Sequence, residues 1–166
     1  MCVEVITTGN EIMSGLTRDT NFSWVAAKLS SSGIEVKHYC SVADDLEDLL
    51  ASFATASRRA RFVIVTGGLG PTGDDLSALA ASKFLGIPLV FNQAVYQDIV
   101  RKLGDRGRKP NIHHEKQAMF PEKTTVIENP VGTASGFSFV SGNSEFYFLP
   151  GVPLSLIHIS EPTRPY

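Results

Sequence analysis

The 166-residue chain holds two cysteines, Cys2 and Cys40, a single tryptophan and no run of basic residues. Two cysteines are too few for a disulfide framework, and their separation fits no metal-ligand spacing. Both stand among apolar neighbours, so buried thiols in a reducing compartment are expected, and with them a cytoplasmic location. A net charge of −2 without a positive block argues against nucleic acid as a partner. No apolar run reaches the length of a bilayer span and no charged-then-apolar leader opens the chain, so no membrane partner is expected either. Charged residues make up 19% of the chain and hydrophobic ones 43%, the balance of one globular domain with a sizeable core.

Glycine, by contrast, is concentrated between apolar runs. The stretch that organises the chain spans 61–85. Phe62-Val63-Ile64-Val65 reads as a strand buried on both faces. Gly67, Gly68, Gly70 and Gly73 follow within seven residues. Leu76, Leu79, Ala80, Lys83 and Phe84 then recur at helical spacing, with Gly86 as the stop. Glycines without Cβ atoms allow close approach of a ligand, and a turn feeding a helix aims free N–H groups outward, which suits phosphate. Asp74 and Asp75 would repel a bare phosphate, so a divalent cation between carboxylate and phosphate is the economical reading. One of the two is also expected to cap the helix. Gly68, Gly70 and Gly73 fit G-x-G-x-x-G, but Pro71 interrupts the loop and no acidic residue stands where a dinucleotide fingerprint requires it.

The rest of the chain repeats this alternation. Residues 3–7 read as a strand leading into a second glycine turn, Gly9 to Gly15. Asp19-Thr20-Asn21 caps a helix with Phe22, Val25, Ala26 and Leu29 on one face, closed by Ser31-Ser32-Gly33. Residues 34–42 alternate as a half-buried strand, and Asp44-Asp45 opens a helix carrying Leu46, Leu49, Leu50 and Phe53. Three strands alternating with helices imply a parallel sheet whose ligand lies at the carboxyl ends of the strands, with the two glycine turns as two walls of one pocket. Further on, 89–91 reads as a short strand or a loop. Val95, Ile99 and Leu103 mark a helix, 105–110 is a charged surface loop, and His113-His114-Glu115 is read as a polar loop and not a metal cluster. Residues 124–127 read as a strand, 128–136 as a loop of small residues, and 137–149 as a hairpin turning at Ser141 to Ser144.

Taken in order, Thr8-Gly9-Asn10-Glu11-Ile12 with Gly15, Asp19-Thr20-Asn21, Thr66 to Thr72, Asp74-Asp75, Asn111 with Gln117-Ala118, Asn129 to Ala134 with Gly136, and Leu149 to Pro153 resemble the N-terminal domain of the competence/damage-inducible protein A (CinA) family. That domain has the molybdenum-cofactor-biosynthesis (MoCF) fold of molybdopterin-binding proteins. The resemblance implies a three-layer α/β/α sandwich with a mostly parallel sheet over residues 1–153. It implies metal-dependent hydrolysis of the pyrophosphate of ADP-ribose or a similar nucleotide diphosphate. The alternatives are a non-catalytic module binding molybdopterin or a nucleotide, and a molybdopterin adenylyltransferase. On the hydrolase reading Asp74, Asp75 and Glu11 are catalytic, and Asp74 and Asp75 carry a divalent ion (Mg, Mn or Co). Gly9, Asn21, Gly67, Gly68, Gly70, Thr72, Gly73, Gly132 and Thr133 hold phosphate or line the pocket. A homo-oligomer is expected from the same likeness. Many members carry a further domain that deamidates nicotinamide mononucleotide, an activity not extended to this chain. Asn10 stands where many members have aspartate, and Ser135 where many have proline. Residues 154–166 match nothing in that family and resemble translated adapter or vector sequence. A chain lacking the family's closing helix would expose apolar surface and lose stability.

Overall fold

A computed structural model describes residues 2–151, so the expected tail over 154–166 lies outside the described residues. Strand β1 (Val3–Thr8) is followed by the single-turn helix α1 (Asn10–Met13), helix α2 (Thr20–Ser31) and strand β2 (Val36–Val42). Helix α3 (Leu46–Arg59), strand β3 (Phe62–Thr66), helix α4 (Ser77–Leu85) and the short strand β4 (Leu89–Phe91) come next. Helices α5 (Gln93–Asp105) and α6 (Ile112–Lys116), then strands β5 (Met119–Pro121), β6 (Thr125–Ile127), β7 (Gly136–Ser141) and β8 (Ser144–Leu149) complete the order.

Six strands form one sheet in the order β2-β1-β3-β8-β7-β6, and β4 pairs with β5 alone. β1 runs parallel to β2 and β3, β3 runs parallel to β8, and β7 is antiparallel to both β8 and β6. Only β7 therefore opposes the rest of its sheet. The carboxyl ends of β1, β2, β3, β6 and β8 share one edge. The chain leaves β1 to one side, reaching β2, and returns on the other side to β3, so the topological switch lies between β1 and β3.

The period of each segment explains its place. Val5 of β1 faces a small cluster with Val25 of α2, Ile64 and Leu149, whereas Ile6 faces the main core with Val63, Val65, Leu49, Phe53 and Ala80. Alternate residues of one strand thus serve opposite layers. Helix α2 covers one face and α3, α4 and α5 the other, giving three layers. Phe53, Phe137, Phe146 and Phe148 are fully buried. The rings of Phe137 and Phe148 stack across β7 and β8 with centroids 4.4 Å apart, and Phe53 meets Phe148 edge-on at 5.4 Å.

The helix ends follow their sequence signals. Asp19 accepts from the Phe22 amide and Asp45 from the Glu47 and Asp48 amides, while Gly86 closes α4 in the left-handed region. Arg59, at the end of α3, makes two hydrogen bonds to the buried Glu4 carboxylate, at 2.9 and 2.6 Å. Two local expectations are corrected. The stretch at His113-His114-Glu115 is not a loop. Asn111 caps it and His114 reaches back to the Asn111 amide, and this reciprocal box turns it into the short helix α6. Nor does Asp74 or Asp75 cap α4: the cap position is Leu76, with no side-chain bond, and Asp75 folds back onto Thr72 instead.

Candidate functional site

The turns at the shared carboxyl edge enclose a cleft of about 730 Å³. The turn after β1 supplies Thr8 to Ile12, the loop after β3 supplies Gly67 to Thr72 with Asp74 and Asp75, and the loop joining β6 to β7 supplies Asn129 and Val131 to Ala134. Pro150 and Gly151 close the floor after β8. The two glycine turns are thus two walls of one pocket, as the alternation of strands and helices implies.

Backbone geometry explains the glycines. Gly67 and Gly68 have φ of 100° and 65°. A Cβ on Gly67 would lie 2.7 Å from the Thr8 carbonyl oxygen, and one on Gly68 would lie 2.4 Å from Ser77 Oγ. Ser77 Oγ in turn donates to the Gly67 carbonyl at 2.8 Å. These two glycines let the turns after β1 and β3 pack against each other, a demand that exists before any ligand arrives. Gly70 leaves room for Asp75, whose carboxylate would lie 2.6 Å from an added Cβ. Gly73 has open space around it and does not line the cleft.

The carboxylates converge from three turns. Glu11, Asp44, Asp74 and Asp75 all line the cleft. Asp75 accepts from the Thr72 amide at 2.8 Å and from Thr72 Oγ1 at 2.5 Å, which fixes one of its oxygens on the loop. Asp44 was legible from sequence only as a helix-start residue, because the neighbouring Asp45 carries the same signal and does cap α3. In the fold, Asp44 Oδ2 accepts from the Asn10 amide at 3.0 Å, and the Asp44 amide donates to Asn10 Oδ1 at 3.1 Å. That reciprocal pair ties the turns after β1 and β2 together. Asn10 is a tie between turns here. Burial holds the Asp44 carboxyl above its ordinary range, and the charges of Glu11, Asp75 and Asp74 push it the same way, against the Asn10 amide.

Among the described residues no three His, Cys, Asp or Glu side chains stand close enough to hold an ion by themselves. The donor set does fit a hard cation held jointly with a ligand. Mg²⁺ is usually bound through one or two carboxylates, with substrate phosphates and water completing its shell. A further observation points to a ligand. Thr8 Oγ1, Asn21 Oδ1 and Gln117 Oε1 are buried, line the cleft and have no hydrogen-bond partner among the described residues. Buried polar atoms are ordinarily paired, so each calls for a donor from ligand or water. Asn21 Nδ2 donates to the Gly151 carbonyl at 2.7 Å, which sets the amide with its oxygen free.

The wall after β6 is built on Asn129, whose side-chain oxygen accepts from the Val131 and Gly132 amides, both at 3.1 Å. Its Nδ2 donates to the Ala134 carbonyl at 2.8 Å. Gly132 and Thr133 line the cleft on this loop. Sequence reasoning gave no role to Arg106, read as part of a surface loop, yet it too lines the cleft. Of the expected site residues, Gly9, Glu11, Asn21, Gly67, Gly68, Gly70, Thr72, Asp74, Asp75, Gly132 and Thr133 come together, and Gly73 does not.

Comparison with known proteins gives the family. Residues 4–163 match the family described as a probable molybdopterin binding domain. The chain belongs to that family. Within it, the chain is of the CinA type. It is 40% identical over 159 residues to a CinA-like protein of Shewanella baltica, covering 96% of this chain and 38% of that protein. It is 41% identical, with the same coverage, to the nicotinamide-nucleotide amidohydrolase PncC of Shewanella oneidensis. The chain therefore spans less than two-fifths of the length of these curated relatives. The crystal structure of CinA from Thermoplasma acidophilum, a protein of unknown function, matches 94% of this chain and 91% of its own with a TM-score of 0.82 and 33% identity. The tungsten-cofactor-synthesizing protein MoaB of Pyrococcus furiosus shares the fold, with a TM-score of 0.56 at 18% identity, over 94% of this chain and 85% of its own. Among the described residues no helix is long and apolar enough to cross a membrane.

Proposed function

We propose that this CinA-type domain hydrolyses the pyrophosphate bond of ADP-ribose or a similar nucleotide diphosphate, with a divalent cation. The observation that carries this reading is the convergence of a glycine loop and four carboxylates on one cleft at the topological switch. A ligand phosphate would lie along the backbone of Gly67 to Gly70, where the loop turns toward α4. Asp75, with one oxygen already fixed by Thr72, and Asp74 beside it would hold Mg²⁺, Mn²⁺ or Co²⁺. When bound, the cation would screen the phosphate charge and lower the pKa of water. Glu11, exposed on the turn after β1 and lining the cleft, would take a proton from the attacking water. Water oxygen bonds to one phosphorus, the bridging P–O bond breaks, and AMP and ribose 5-phosphate leave. Asp44, on which the charges of Glu11, Asp75 and Asp74 act, would add a fourth carboxylate to the field that attracts the cation.

A second reading has an observation of its own. The unpartnered amide oxygens of Asn21 and Gln117 call for N–H donors, which the ring edge of a pterin supplies. On that reading the cleft binds molybdopterin without turning it over. The assay that separates the two is release of AMP from ADP-ribose, with Mg²⁺ and with a chelator. Cation-dependent AMP supports the hydrolase; no AMP alongside saturable pterin binding replaces it with the binding module. In either case the protein would act on a small molecule in the cytoplasm and as a homo-oligomer.

A further inference from the structure

We propose that Arg106 binds the diphosphate of the ligand from the wall of the cleft opposite the carboxylates. The proposal rests on the anionic-ligand reading above and not on turnover. It begins with charge. Glu11, Asp44, Asp74 and Asp75 line the cleft, and Arg106 is the single cationic side chain that does so among the described residues. One divalent ion cancels two negative charges, fewer than a diphosphate and its acidic surroundings bring together. Lys116 is bound to the Thr72 and Gly73 carbonyls on the carboxylate side, so a positive group on the opposite wall is left to Arg106.

The geometry places Arg106 for that task. The carboxylates ride on the turns after β1, β2 and β3. Arg106 follows α5, and its Nη2 donates to the Val131 carbonyl at 2.6 Å, on the loop between β6 and β7 at the other end of the sheet. A ligand touching both must bridge the cleft. The arginine is also held in place. Lys102, one turn earlier and nine-tenths buried, donates to the Asn129 carbonyl. Asn129 in turn fixes the backbone of Val131 through its side-chain oxygen. The bond to Val131 occupies one of five guanidinium N–H donors. Among the described residues the others have no acceptor; the side chain is exposed, and a phosphate oxygen is a stronger acceptor for them than a neutral carbonyl. The planar fork further suits two oxygens of one anion, which lysine cannot match.

The test is titration of Mg²⁺-loaded full-length protein with ADP-ribose, inorganic pyrophosphate and adenosine, for wild type, Arg106→Gln and Arg106→Lys. Loss of a charge-assisted contact predicts pyrophosphate and ADP-ribose affinity falling roughly ten- to a hundred-fold in Arg106→Gln. Arg106→Lys should recover part of that loss, and adenosine binding should not move. A purely structural tie to Val131 would lower thermal stability and leave pyrophosphate affinity as in wild type, and that result overturns the proposal. Wild-type protein that binds neither pyrophosphate nor ADP-ribose overturns it too. Arg106-dependent binding without any AMP release would instead defeat the hydrolase reading and leave this one standing.

Discussion

At the scale of single residues, the cleft separates groups that build it from groups that react in it. Asp75 is both, because one oxygen is committed to Thr72 while the carboxylate still faces the cleft. Asp75→Asn keeps the shape and can still accept from Thr72, but it removes the charge. AMP release should fall by about a hundred-fold or more, in line with the loss of a reacting carboxylate, with an unchanged melting curve. Unchanged turnover would remove Asp75 from the site. Asp44 carries the pH prediction. Its raised pKa means that the native state resists ionising it more than the unfolded chain does. Below the ordinary aspartate range the group is protonated in both states and does not matter. As pH rises through the interval up to its raised pKa, the unfolded state releases the proton first, and native stability declines. Asp44→Asn should flatten that decline in metal-free protein, measured as denaturation midpoint against pH. It should also weaken the stabilisation that added Mg²⁺ gives. A variant that tracks wild type at every pH would contradict the placement of Asp44 among three other carboxylates.

At the scale of elements, the glycine loop is a packing device as well as a cradle. Gly68→Ala puts a Cβ 2.4 Å from Ser77 Oγ at a positive φ, and Gly67→Ala drives one into the Thr8 backbone. Each should destabilise the fold by about 1–3 kcal/mol in urea titration. Gly73→Ala meets open space and should leave the midpoint in place. Equal loss at all three positions would show that the contact with the turn after β1 is not what fixes the loop. The alternation of apolar runs and glycine turns made this element readable in advance, from the strand at Phe62 to the stop at Gly86. Three features were not readable, for definite reasons. Asp75 turns back to Thr72 and does not cap α4, and Gly70 leaves room for its carboxylate; the sequence pattern does not distinguish the two bonds. His114 looked like a loop residue until Asn111 supplied the other half of a capping box. Arg106 sat in a charged, breaker-rich stretch whose local pattern says surface, and only the long-range bond to Val131 turns it into the cleft.

At the scale of the molecule, function follows from which strands share an edge. Among the described strands only β7 runs against its sheet, reversed by the loop after β6 on one side and the hairpin at Gly142 on the other, so the loops after the five remaining strands meet at one edge. The order β2-β1-β3 then opens the switch between the two glycine turns. The core beneath the sheet is rich in aromatic rings, and Phe53 meets Phe84, Phe146 and Phe148 edge-on. Phe53→Ala should destabilise the domain by about 3–5 kcal/mol, since it empties the junction between α3, α4 and the sheet. A loss below 1 kcal/mol by chemical denaturation would place the core elsewhere. The central expectation is that phosphate and cation meet between Gly67–Gly70 and Asp75. The most direct measurement is a crystal structure with Mg²⁺ and a non-hydrolysable methylene analogue of ADP-ribose. The expected result is a phosphate along the backbone of Gly67 to Gly70 and a cation shared between it and Asp74 or Asp75. Diphosphate bound away from that loop, or a cation held without any of these carboxylates, would contradict it.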